Sequence, residues 1–295
     1  MQVSEWFDHI AKSLISFKNV RCWPDYKATL QYFSAPALPS VRRSGAIQFP
    51  PPLSSPTDVV LILCNHQSDM DQFLVCSSVH YYDEPISTGS TSSTSSTSSA
   101  SSTSPTIPIR LTGFTHQAFE SLPGVGNMVG KNLIGLAKGE TQAQIQAKIQ
   151  LFLDQGYNCF LLFPEGTFLH QDTFAKSQEF QAKEGIPADM RLQRTLYPKF
   201  GALHAFVDLV KDRLAYIVDI TIDYYDYDAP KSDWSYFLYP SLTHSFFKKM
   251  SPPYMHATVI PVREKWADFM EKEWLVKLWR KKDARLRVRA ERQLR

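Results

Sequence analysis

A chain of 295 residues with 43% hydrophobic and 13% aromatic residues can bury one large core, or one core with a small accessory unit, and this composition excludes a disordered chain. The net charge is only +3, yet residues 263–295 hold 12 Lys and Arg against 6 Asp and Glu, so the rest carries −3 and the basic character is local. Cys22, Cys64, Cys76 and Cys159 form no CxxC pair and two of them close apolar runs, which suits reduced, packed thiols facing a cytosol and argues against a disulfide framework.

The chain opens on "MQVSEWFDHIAKSLISFKNV", in which Val3, Phe7, Ile10, Leu14 and Phe17 recur at helical spacing beside Trp6. This predicts an amphipathic helix, either packed on the core or lying in a lipid interface with Trp6 and Phe7 as anchors. No uninterrupted apolar stretch marks a cleaved secretory signal, and no run reaches the roughly 18 apolar residues of a spanning helix. Residues 35–57 are Pro-rich and read as an extended connection.

"VVLILC", residues 59–64, is entirely apolar with three β-branched members, the pattern of a strand buried on both faces. It gives way at once to "NHQSDMD". Residues 87–106 are all Ser or Thr except Gly89, Ala100 and Pro105, a composition that reads as a disordered insertion within a domain. "IPIRLTGF" then predicts a strand, "SLPGVGNMVGKNLIGLAKGE" mixes Gly with apolar residues, and residues 142–153 form a predicted helix closed by Gly156. A second buried strand over residues 158–163 runs into "PEGT", and further strands are expected near residues 215–225 and 255–262. Strands alternating with helices indicate an α/β fold, in which chemistry gathers where strands end.

Two strand ends carry candidate chemistry. An imidazole suits proton removal from a hydroxyl near neutral pH, and a carboxylate on its far nitrogen would fix the tautomer; His66 and Asp71 supply both, five residues apart across a strand-to-helix turn. Asp69 is expected to cap the helix instead. The alternatives at this point are a structural histidine beside a solvated acid, or a metal site, for which one His and two Asp without a second His or Cys are a poor donor set. The other strand end, Pro164-Glu165-Gly166-Thr167, offers a carboxylate to orient a polyol hydroxyl, a glycine allowing close backbone approach, and a hydroxyl.

"NHQSDMD" and "FPEGT", about 100 residues apart, together resemble the first and third motifs of the glycerolipid acyltransferases, with "LPGVGNMVGKNLIGLAK" and "LYPKFGAL" similar to the second and fourth. The run "FPEGTFLHQDTFAKSQEFQAKEGIP" and the tail "WLVKLWRKKDARL" resemble the lysocardiolipin and 1-acylglycerol-3-phosphate acyltransferase branch. Lys138 and Lys199 stand where that family usually has arginine, so a point charge replaces a planar fork at phosphate.

The resemblance implies a mixed α/β sheet with flanking helices over residues 59–262, preceded by the N-terminal helix and connection (1–58) and followed by a basic helical tail (263–295). It implies transfer of an acyl group from acyl-CoA to a lysophospholipid hydroxyl, with His66 as base supported by Asp71. Lys138, Glu165, Gly166, Thr167, Pro198 and Lys199 would hold the acceptor, without metal or other cofactor. The expected partners are acyl-CoA, a lysophospholipid and a membrane surface at the cytosolic face of the endoplasmic reticulum, contacted through the N-terminal helix, residues 122–136 or the basic tail with Trp274 and Trp279; no nucleic-acid module is present. The competing readings are a thioesterase using the same His/Asp pair and a non-catalytic lipid-binding protein.

Overall fold

The structure is a computed structural model that describes residues 53–67, 71, 75, 107, 109–118, 133–223 and 254–292, with the strand at residues 42–43. The expected N-terminal helix, Asp69, the Ser/Thr-rich segment, and residues 122–132 lie outside the described residues.

Among the described residues seven strands form one sheet: β1 (Arg42–Arg43), β2 (Val59–Cys64), β3 (Leu111–His116), β4 (Leu133–Leu136), β5 (Cys159–Leu162), β6 (Leu214–Asp223) and β7 (Tyr254–Pro261). Their order is β1-β7-β6-β2-β5-β3-β4. The five strands β6, β2, β5, β3 and β4 run parallel, while β7 is antiparallel to β6. The helices are α1 (Gln142–Asp154), α2 (Gln171–Lys183), α3 (Gly201–Val210) and α4 (Lys272–Arg292), with short 3-10 turns at Ala188–Met190 and Arg263–Met270. The α/β class expected from the alternating runs is the one observed.

Every residue of β2 is buried because the strand is central and covered on both faces. Its alternate residues divide between two cores. Val59, Leu61 and Leu63 join Phe160, Leu162, Phe114, Ile134 and the inward faces of α1, α3 and α4. Val60, Ile62 and Cys64 join Cys159, Leu161, Phe163, Val218, Ile220 and Ile222 on the other side, with Leu53 and Val75 above them. The period-2 side-chain geometry of strands thus turns one apolar run into the wall shared by both cores.

Local signals set the helix ends. Thr141 caps α1, accepting from the Gln144 amide while the Gln144 side chain bonds back to the Thr141 amide, and Gly156 ends the helix at φ 85°, a left-handed conformation that disfavours other residues.

The segment expected as a basic tail is α4, and it is built into the core. Leu275, Leu278, Trp279 and Leu286 are buried, as are Lys282 and Asp283. Lys282 pairs with Asp219 and donates to the carbonyl of Ile220, and its Nζ lies 3.4 Å from the Leu63 carbonyl. Arg289 bonds Asp223 at 2.9 Å. Trp279, 0% exposed, is therefore no membrane anchor in this fold, and the exposed basic side chains of the helix are Lys277, Arg280, Lys281 and Arg287. Among the described residues no helix is long and apolar enough to cross a membrane.

Candidate active site

Parallel strands bring their carboxyl ends to one edge of the sheet, and β5 and the strand that follows it, β6, lie on opposite sides of β2. Such a reversal opens a crevice beyond the strand ends. Leu63 of β2 pairs with Leu162 of β5, so His66 and Glu165, each three residues further on, emerge side by side.

Asn65 shapes the turn after β2. Its side chain acts as an extra strand residue, donating to the Ile222 carbonyl at 3.0 Å and accepting from the Ile222 amide at 2.8 Å. Gln67 is fixed by donation to the Arg194 carbonyl at 2.9 Å. The His66 carbonyl accepts from the Leu169 amide at 2.9 Å. With the main chain held on three sides, the imidazole has a defined direction.

The His66 ring stacks on Phe163 with centroids 4.2 Å apart and meets the edge of Phe168 at 6.0 Å. Its Nδ1 lies 3.1 Å from Oδ2 of Asp71. Asp71 is fully buried and takes the Gln67 amide on the same oxygen at 2.5 Å. A buried carboxylate facing Nδ1 selects the tautomer with the proton on Nδ1, which leaves Nε2 to accept one. The His66 side chain is 18% exposed, enough for a reactant to reach it.

Glu165 points the other way. The turn after β5 breaks the strand's alternation and directs it toward α4, where it is 2% exposed and accepts the Trp279 indole N–H at 2.9 Å. Burial pushes its pKa up to about 8, and the Trp279 bond, with the main chain of Leu196 and His66, offsets only part of that cost. The expected contact of Glu165 with a polyol is not what this geometry shows; the carboxyl is an internal anchor for the turn.

Gly166, by contrast, is exposed at φ 69°, and a Cβ there would lie 3.0 Å from Nζ of Lys199. The Lys199 amide donates to the Pro164 carbonyl at 2.7 Å, so the exposed ammonium lies directly over the turn. Pro198 is buried beneath, and Thr167 is half-buried beside it. Lys138 is exposed in the turn after β4, three strand positions from β2. At a strand spacing of about 4.8 Å that is about 14 Å along the same edge. The structure thus brings together His66, Asp71, Gly166, Thr167 and Lys199, sets Lys138 apart and turns Glu165 inward.

Sequence reasoning did not identify Asn65, Gln67 or the Phe163–Phe168 pair around the ring. Their adjacency to His66 and to "PEGT" was the available signal.

No protein-family model matches the chain, and no solved structure matches it. A stretch of 118 residues, 38% of the chain, is 30% identical to 1-acyl-sn-glycerol-3-phosphate acyltransferase epsilon of Mus musculus. The match spans 31% of that protein's length, and it is a distant relationship to an acyltransferase.

Proposed function

We propose that this protein transfers an acyl group from acyl-CoA to the free hydroxyl of a lysophospholipid. The observation that carries the reading is the His66–Asp71 pair at 3.1 Å, with Asp71 wholly buried and held by a main-chain amide. His66 Nε2 takes the proton of the acceptor hydroxyl as that oxygen attacks the thioester carbonyl, and Asp71 supports the imidazolium that forms. Collapse of the tetrahedral species expels CoA thiolate, which takes up the proton, and leaves the ester. General-base assistance of this kind is typically worth about 10²–10⁴ in rate.

The ammonium of Lys199 lies over Gly166 and would meet the acceptor phosphate as a point charge. Lys138 on the same edge would assist from further out. The distant relative named as a 1-acylglycerol-3-phosphate acyltransferase supports this acceptor class. The test is product formation: purified protein with labelled acyl-CoA and lysophosphatidic acid yields diacyl product, and His66→Ala abolishes it with the fold intact. Thioester cleavage at equal rate without acceptor would instead establish a hydrolase.

The acceptor resides in a bilayer, so the protein would meet a membrane peripherally. The N-terminal amphipathic sequence and the solvent face of α4, with Lys277, Arg280, Lys281 and Arg287, suit an anionic cytosolic surface such as that of the endoplasmic reticulum.

A further inference from the structure

The two loops that form the site rest on one helix that contributes no residue to it. On α4, Trp279 and Asp283 are one turn apart and both buried. Oδ1 of Asp283 accepts the amides of Gln193, Arg194 and Thr195 at 2.8, 2.5 and 3.1 Å, fixing the segment that leads to Lys199. Trp279 holds the other loop through Glu165. The second carboxyl oxygen, Oε2, is buried with no hydrogen-bond partner among the described residues. Beside the main chain of Leu196 and His66, the indole is the side-chain donor to Glu165 among the described residues, across 114 residues of sequence.

We propose that Trp279 is a positioning residue of the acyl-transfer site, whose indole N–H holds Glu165 and thereby fixes the Pro-Glu-Gly-Thr turn and the overlying Lys199 relative to His66. This rests on the acyltransferase reading given above. Removing the donor leaves a buried carboxyl without a side-chain partner, a situation that costs more than the bond itself is worth. The turn then relaxes. The Lys199 amide moves with it, because that amide is tied to Pro164 at 2.7 Å. The effect falls first on acceptor binding, since the His66 ring keeps its own bond to Asp71 and its stacking on Phe163.

The titratable groups on Glu165 or its donor are Asp71, Cys64 at the end of β2, and Lys282, whose Nζ lies 5.0 Å over the Trp279 ring, with Lys199 over the neighbouring Gly166. Lys282 is already paired with Asp219. Ionisation of Glu165 would thus be felt first at the Trp279 N–H.

Two measurements on the full chain test this. In the first, indole ¹⁵N–H resonances are followed from pH 6 to 9.5, with the Trp279 signal assigned by its absence in Trp279→Phe. That signal shifts with a midpoint near 8 and the shift disappears in Glu165→Gln; a Trp279 signal that does not respond to pH, or responds equally in Glu165→Gln, overturns the proposal. In the second, Trp279→Phe, which keeps an aromatic ring in the core, raises the KM for lysophosphatidic acid about tenfold and changes the KM for acyl-CoA by less than about twofold. Equal rises in both constants, in step with a lowered Tm, would show a packing role only and overturn it. If the unmodified protein transfers no acyl group, the acyltransferase reading falls, and the indole titration alone upholds or overturns the Trp279–Glu165 coupling.

Discussion

Replacing Asp71 by asparagine keeps the shape of the site and removes one charge. Oδ2 of Asp71 receives both His66 Nδ1 at 3.1 Å and the Gln67 amide at 2.5 Å. The amide oxygen of asparagine can still accept both, so the fold should lose only the charge-assisted part of these bonds, about 1 kcal/mol. Catalysis loses more. When His66 takes the substrate proton, an imidazolium forms about 4 Å from the carboxylate charge, and with an effective dielectric near 20 their attraction is about 4 kcal/mol. At about 1.4 kcal/mol per decade this predicts a loss of nearly 10³ in kcat. The assay is CoA release in the presence of lysophosphatidic acid, with product confirmed by chromatography and folding checked by circular dichroism. A kcat within about threefold of the unmodified protein, at unchanged Tm, would refute the electrostatic role of Asp71. So would a larger loss from Asp69→Asn, which should be mild.

Other perturbations separate the remaining parts. Gly166→Ala places a Cβ in a left-handed conformation and against the Lys199 ammonium, so it should cost about 1 kcal/mol of stability and raise the acceptor KM, as read by denaturant unfolding and kinetics. Lys199→Ala should raise the acceptor KM more than Lys138→Ala does, since Lys199 lies over the turn and Lys138 lies three strands away; the reverse ranking would reassign the phosphate contact. Glu165 binds its proton more tightly folded, at about 8, than at the ordinary 4.5, so below 4.5 its burial is without penalty and unfolding free energy falls as pH rises toward 8. Chemical unfolding of Glu165→Gln beside the unmodified protein should show that this part of the fall is gone. Lys282→Ala leaves the buried Asp219 only its longer pair with Arg285 at 3.6 Å and should cost about 3 kcal/mol, measured the same way.

The central strands were legible because burial on both faces leaves an unbroken apolar run, as in "VVLILC". The helix α1 was legible from its apolar spacing and its closing Gly156. Strand β4 was not read as a strand, because Leu133–Leu136 is four residues long with a glycine inside it. Helix α3, "GALHAFVDLV", is apolar on too many sides to show a periodic stripe; Leu203, Ala205, Phe206, Val207 and Val210 are all buried. The nature of α4 is not legible in its sequence. A run dense in Lys and Arg reads as a solvated face, and nothing local reveals that Lys282 meets Asp219 or that Trp279 meets Glu165. Those partners are 63 and 114 residues away, and only the sheet brings them together.

In the site, His66 and Asp71 could be paired from sequence because the turn between them is short. Glu165 could not be oriented because it lies in the turn beyond β5: strand parity would keep it on the face of Phe163, and the turn instead carries it to Trp279.

The most direct test of acyl transfer is an incubation of the purified protein with labelled acyl-CoA, with and without lysophosphatidic acid, alongside His66→Ala. The account predicts diacyl product and CoA in equal amounts, CoA release that depends on the acceptor, and a loss of at least about 10²-fold in the variant. CoA released at the same rate without acceptor, or full transfer by His66→Ala, would contradict it.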